Sequence, residues 1–119
     1  MLFRSGGGRL LQLTRNFVPV AAVNGYTFLP GGLIMQWGIK SLSSSSSQSG
    51  NVNFATANIN FPNACFNVSL TLVSRVGGTS SSDNTIGVRS GSVSTTRFIF
   101  DYNGNGGNYS NFYWVAIGN

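Results

Sequence analysis

Residues 66–72 read Phe66-Asn67-Val68-Ser69-Leu70-Thr71-Leu72. Successive side chains of an extended segment point to opposite faces. Phe66, Val68, Leu70 and Leu72 therefore share one face, and Asn67, Ser69 and Thr71 share the other. One apolar face and one wet face is the pattern of a strand in an antiparallel sheet. The same period of two recurs along the chain. Leu33, Met35, Trp37 and Ile39 fall on one face of a strand over Leu33–Ile39, with Gln36 and Lys40 on the other. Phe98, Phe100 and Tyr102 fall on one face of a strand spanning Val93–Tyr102. Val52 and Phe54, then Ile59 and Phe61, mark a further strand region ending at Pro62. Ile86 and Val88 open another, and Ser90-Gly91 after it suits a turn.

The last strand, Phe112-Tyr113-Trp114-Val115-Ala116-Ile117-Gly118, departs from this alternation. Phe112, Trp114 and Ala116 lie on one face, and Tyr113, Val115 and Ile117 on the other. Both faces are apolar, so both call for cover. In a domain this small one face buries in its own core, which leaves the second for a neighbouring subunit. The pattern predicts an oligomer with the C-terminal strand at the contact.

Between these segments lie polar stretches. Ser43 to Ser47, Gly77 to Asn84 and Asn103-Gly104-Asn105-Gly106-Gly107-Asn108 lack apolar periodicity and read as loops, the last rich in positions suited to positive φ. Pro30-Gly31-Gly32 places a bend before the first secure strand. Residues 1–24 carry Arg4, Arg9 and Arg15 and the run Gly6-Gly7-Gly8, and read as an arm, with a short strand over Arg9–Thr14 as an option. Residues 25–119 form the domain.

The composition agrees with an all-β domain. Ser, Gly and Asn make up about two-fifths of the 119 residues, and Glu is absent. Such residues favour turns and caps over helix interiors. Yet 41% of the chain is apolar and 13% aromatic, too much for a disordered segment. The net charge of +5 is concentrated in the arm. From residue 25 onward, four cations (Lys40, Arg75, Arg89, Arg97) against two anions (Asp83, Asp101) leave only +2, spread singly. A nucleic-acid groove needs clustered cations beside exposed aromatics, so no nucleic-acid partner is expected. The apolar run Phe17–Val23 is too short to span a membrane and contains Pro19. No membrane insertion is expected.

The chemistry-bearing residues are few. Cys65 is the single cysteine and there is no histidine, which rules out an intrachain disulfide, a Cys-His nucleophile pair and a thiolate-imidazole metal cage. Cys65 reads as a buried, inert thiol. Asp83 and Asp101 are the whole acidic complement, with no surrounding motif, so no catalytic residue, cofactor or metal is expected. Gly6-Gly7-Gly8-Arg9 lacks the strand and helix that would make it an anion-binding loop. Trp37 and Trp114 stand in apolar strands and read as core. The ligand candidates lie in and beside the glycine-rich loop: Asp101, Tyr102, Asn103, Asn105, Asn108 and Tyr109. Their amides and carboxylate can hydrogen-bond sugar hydroxyls, and a tyrosine ring can pack on a pyranose face. Ser80 to Asn84 is a second candidate.

Three blocks carry a family resemblance: Gly25-Tyr26 with Leu29-Pro30 and Gly32-Leu33-Ile34-Met35-Gln36-Trp37-Gly38, then Phe61-Pro62-Asn63-Ala64-Cys65, then Tyr113-Trp114-Val115-Ala116-Ile117-Gly118. In this order and spacing they resemble the trimeric C-terminal tip domain of bacteriophage tail fibres, across about four-fifths of the chain. The resemblance implies a small antiparallel β-sandwich like the trimeric H-type lectins. It implies a non-enzymatic function, recognition of a bacterial polysaccharide or outer-membrane protein for host adsorption. It also implies a place on the virion, after synthesis in the host cytoplasm. The motif residues read as scaffold, so the resemblance assigns no binding residue. Only 24 residues precede the matching region, where such fibres carry a long shaft. A short fibre or spike held by its arm, or a separately encoded distal subunit, is therefore expected, and phage-derived bacteriocin particles use the same tips. The arm would dock on other virion proteins. The alternative is a structural virion component, a decoration or adaptor knob of the same fold without a receptor.

Overall fold

The computed structural model describes residues 19–43, 47–74, 84–104 and 109–119. Seven strands run antiparallel in two sheets. The first sheet has the order β1-β2-β7-β4, built from β1 (Gly25–Leu29), β2 (Leu33–Ser41), β7 (Tyr109–Gly118) and β4 (Cys65–Ser74). The second has the order β3-β6-β5, built from β3 (Ser47–Asn53), β6 (Arg97–Asn103) and β5 (Thr85–Val88). A 3₁₀ turn, Pro30–Gly32, joins β1 to β2, and its two glycines take φ of 83° and 81°, where a Cβ would be strained. A single turn of helix, α1 (Phe54–Ala57), follows β3.

The sheets stack face to face, as rings that touch across the gap demonstrate. Trp114 of β7 meets Phe98 of β6 with ring centroids 5.9 Å apart, and Phe112 meets Phe100 at 4.8 Å. Phe54 of α1 closes one end, 5.8 Å from Trp114 and 4.9 Å from Phe61. Phe98, Phe100 and Tyr102 are buried on one face of β6, as their spacing requires. Phe112, Trp114 and Ala116 are buried on β7, so Trp114 is core. The chain end is sewn to the 61–65 block: Asn63 and Ala64 N–H donate to the Asn119 carbonyl, and Asn119 N–H donates to Ala64.

Four expectations need correction. In β2 the apolar row does not face the core. Ile34, Gln36 and Gly38 point inward, and Leu33, Met35, Trp37 and Ile39 are only half-buried on the outer face. The cause lies on the neighbouring strand. Gly38 pairs with Trp114, and a Cβ there would meet the Trp114 indole nitrogen at 2.7 Å and the Asn24 side chain closer still. The bulky ring of β7 thus dictates a glycine at this point on the inner face of β2. Gln36 is fully buried beside it. Its Oε1 accepts the Ile59 N–H at 3.4 Å, and its Nε2 finds no partner among the described residues.

In β4, Phe66 leaves the face of Val68, Leu70 and Leu72. Cys65 pairs with Gly118 and Asn67 with the adjacent Ile117, so Phe66 is the extra residue of a bulge and stands 59% exposed. The region 52–61 is not one strand. Phe54 opens α1, and Asn58 behind it turns inward, its Nδ2 donating to the carbonyls of Gly25 (2.8 Å) and Trp37 (3.0 Å). Finally, Val93 to Thr96 precede β6 rather than belong to it. Ser94 holds them as a side-chain-capped turn, its hydroxyl oxygen accepting the N–H groups of Thr96 and Arg97 at 3.2 Å.

The packing around Trp114 is testable by urea unfolding. Trp114→Ala should lower stability by about 3–5 kcal/mol through the cavity it leaves. Gly38→Ala should cost about 1–3 kcal/mol through overpacking. A Gly38→Ala protein as stable as the parent would mean that the indole does not lie over this position.

Candidate functional site

With both inner faces buried against each other, the two outer faces remain, and they differ in chemistry. On the four-stranded sheet, register places Met35 beside Ile117, Trp37 beside Val115 and Ile39 beside Tyr113. Val115 is 38% and Tyr113 53% exposed, and the other four are half-buried. This is one continuous apolar surface over β2 and β7. On the β4 side it gives way to Asn67, Ser69 and Thr71.

The outer face of the three-stranded sheet is polar. Along β6 it presents Arg97, Ile99, Asp101 and Asn103, and β3 sets Asn53, Asn51, Ser49 and Ser47 beside them in the same order. On the other side Thr85 pairs with Asn103 and Gly87 with Asp101. A Cβ on Gly87 would meet nothing within 4 Å, so the surface dips there. Three of the four charged side chains among the described residues, Arg89, Arg97 and Asp101, lie on this face, and none lies on the apolar one. The fourth, Lys40, ends β2 beside Asn51, Asn53 and the Trp114 edge, around a cavity of about 230 Å³.

Arg89 grips Asp101 with both arms of its fork. Nε donates to Oδ2 at 2.9 Å and a terminal nitrogen donates to Oδ1 at 2.5 Å. These hydrogen bonds, and then the guanidinium charge, hold the Asp101 carboxyl below its usual range, and the same partner raises Arg89. The carboxylate is thereby fixed in place and in charge. Shallow concavities lie on either side of this pair. One, of about 470 Å³, is bordered by Ser47, Ser49, Thr85, Asp101 and Asn103. The other, of about 410 Å³, is bordered by Arg89, Arg97 and the Ser90–Thr96 hairpin turn, where Gly91 takes a φ of 75°. A further cavity, of about 640 Å³, is a different kind of place: Phe28, Leu29, Leu33, Ile59 and Pro62 line it, with almost no converging polar groups.

Of the residues singled out from sequence, Asp101 and Asn103 are brought together on the polar face. Tyr102 is not available as a stacking ring. It is 2% exposed, its ring in the core and its hydroxyl donating to Asn84 Oδ1 at 3.1 Å, because period two turns it away from its neighbours. Asn105 and Asn108 lie outside the described residues, as do the side chain of Tyr109 and residues Ser80 to Asp83. Sequence reading missed Ser47, Ser49, Thr85, Gly87, Arg89 and Arg97 as parts of this face. The signal was weak, a polar alternation across Ser47–Asn53 that resembles any serine-rich loop. Cys65 is half-buried rather than fully enclosed. Burial pushes its thiol pKa up, against a contact to the Asn67 carbonyl, so it is poorly ionised at neutral pH. No group of three or more potential metal ligands occurs among the described residues.

The family model described as tail fiber protein gp53-like, C-terminal, matches residues 28–119. The chain belongs to the gp53-like tail fiber family. Solved structures similar to this gp53-like domain are pyocin tail fibers. An N-truncated R1-type pyocin tail fiber has a TM-score of 0.67 at 23% identity, covering 92% of this chain and 95% of that one. An R1 pyocin fiber of P. aeruginosa has a TM-score of 0.66 at 24% identity, over 86% of this chain and 28% of its own length. An N-truncated R2-type pyocin tail fiber has a TM-score of 0.64 at 19% identity, over 86% and 37%. At these identities the likeness is one of fold, and the gp53-like chain spans little more than a third of the R2-type fiber. Among curated proteins, none matches.

Replacing Arg89 with Gln should return the Asp101 pKa toward the ordinary carboxylate range, read by carboxyl-detected NMR titration. Sign follows from the pairing: the depressed group is ionised in the parent at acid pH where the variant has already taken up its proton. Because both groups are exposed, the melting temperature at pH 7 should stay nearly unchanged. An Asp101 that titrates identically in both proteins would show the pair to be absent in solution.

Proposed function

We propose that this tail fibre domain is a homotrimeric, non-enzymatic, lectin-like receptor-binding tip that attaches a virion to a bacterial surface polysaccharide or outer-membrane protein. The observation that carries this reading is the contrast between the two outer faces. A continuous apolar surface over β2 and β7 would stand open to water if left bare, and surfaces of that kind mark protein contacts. Three copies, the number the resemblance implies, would close it by symmetry. The polar face is then left outward in each subunit, three times per particle. Weak single-site binding becomes firm attachment when three sites engage at once.

Ligand contact is assigned to Asp101 and Asn103 and to the loop they lead into, with Asn105, Asn108 and Tyr109. A central strand presenting a fixed carboxylate and amides suits hydroxyl recognition better than catalysis, which would need a second titratable group at hand. Residues 1–24 act as the attachment arm toward other virion proteins. Their arginines and glycines carry few aromatic anchors before Phe17, so ordering them would require a docked partner.

Val115→Glu should convert the trimer to monomers at micromolar concentration in sedimentation velocity, since it sets a charge in the middle of the apolar surface. A Val115→Glu protein that still sediments as the parent oligomer would place the contact elsewhere. Asn103→Ala should weaken adsorption to bacteria by about tenfold, one lost set of polar contacts multiplied by valency, with the melting temperature held. Parent protein that adsorbs to none of a broad panel of strains would favour the structural-component reading over the receptor one.

A further inference from the structure

The polar face is longer than the loop that first drew attention, and its two ends differ. At the Asn103 end, the concavity is bordered by hydroxyl and amide groups around the fixed Asp101 carboxylate. At the Arg97 end, the second concavity is bordered by two guanidinium groups and no carboxylate. Arg89 is already committed to Asp101 through two of its nitrogens. Arg97 has no ion pair or side-chain hydrogen bond among the described residues, and it is exposed. The remaining acid, Asp83, lies outside the described residues. The hydroxyls of Ser92 and Ser94 do not compete for it, because both are engaged in the turn: Ser92 with Ile99 and Ser94 with Thr96 and Arg97 backbone. The turn that carries Arg97 is therefore a hydrogen-bonded platform for a cation that no acidic side chain among the described residues neutralises.

We propose that an acidic polysaccharide lies along the outer face of the three-stranded sheet, its hydroxyls bound at Ser49, Asp101 and Asn103 and its anionic substituent held by Arg97. From Arg97 to Asn103 the strand runs roughly 20 Å, room for several sugar rings laid end to end. The Arg89–Asp101 pair sits between the ends and serves both. It cancels the carboxylate charge that would otherwise repel the ligand, and it leaves the carboxylate oxygens as acceptors for a vicinal hydroxyl pair. The dip at Gly87 lets a ring approach the strand backbone. A guanidinium fork matches either a carboxylate or a phosphate. The shared requirement is an anionic group one to three sugars from a neutral, hydroxyl-rich unit.

The assignment rests on the receptor-binding reading, and the experiment separates the two. Isotopically labelled full-length protein is titrated at constant ionic strength with galacturonate, inorganic phosphate and neutral galactose, and amide and Arg side-chain N–H resonances are followed. Either anion should shift the Arg97 Nε–H and the Ser90–Arg97 amides with millimolar saturation. Response to galacturonate alone identifies a uronate substituent, and response to phosphate alone a phosphorylated one. Arg97→Gln should weaken that response at least about tenfold, the worth of a charge-assisted hydrogen bond, with Thr85 and Asn103 resonances unmoved. Anion responses that are absent, scattered over the surface or unchanged in Arg97→Gln overturn the proposal. Adsorption to bacteria that is equal for parent and Arg97→Gln also overturns it, while leaving the receptor reading intact.

Discussion

The indole of Trp114 lies over Gly38, and most of the architecture follows from that contact. A ring this large can be enclosed only if its neighbours on both strands give way, so β2 turns a glycine and a glutamine toward it and Val68 and Leu70 pack on its other side. Across the gap Phe98 and Phe54 approach it edge-on or tilted, geometries that the quadrupoles of aromatic rings favour by about 0.5–1.5 kcal/mol per pair. One side chain thereby joins both sheets and the single turn of helix. Asn119, five residues further on, is hydrogen-bonded into the 61–65 block, so the whole C-terminal motif works as a clasp on the core.

A consequence of that clasp appears on the opposite side of the same strands. Because Gly38 must face the indole on the inner side of β2, the alternate row of Met35, Trp37 and Ile39 is directed outward. There it meets Val115, Tyr113 and Ile117, whose own alternation is fixed by Trp114. Trp37 is further anchored by its Nε1, which donates to the Ala22 carbonyl at 2.8 Å. The apolar outer surface is thus not an independent feature added for assembly. It is the other side of a decision made in the core, and in the proposed reading it is what the copies of the trimer cover.

The second sheet carries none of this burden. Its buried row is aromatic and its outer row is free to be polar, with the Arg89–Asp101 pair at its centre. In the proposed reading assembly uses one outer face and recognition the other, so a receptor can vary without disturbing the trimer. The residues that carry the family resemblance fall at β1, β2, the 61–65 block and β7, and not on the three-stranded sheet.

The class of fold and much of the core are legible in one dimension. Period two in 66–72, 98–102 and 112–116 identified strands with one buried face, and two-sided apolarity in 112–117 pointed to a surface needing a partner. These are local properties, readable because a strand's side-chain period depends on nothing beyond the strand. Which face of β2 is inner depends on packing between strands, since Leu33, Met35, Trp37 and Ile39 look more buried than Ile34, Gln36 and Gly38 until Trp114 is set opposite. The fold alone ejected Phe66 through a bulge, and it alone sent Tyr102 into the core while its neighbours Asp101 and Asn103 stayed out. The polar face was equally invisible in one dimension. Ser47, Ser49, Arg89, Arg97 and Asp101 are scattered over 55 positions, and antiparallel register across three strands is what makes them neighbours.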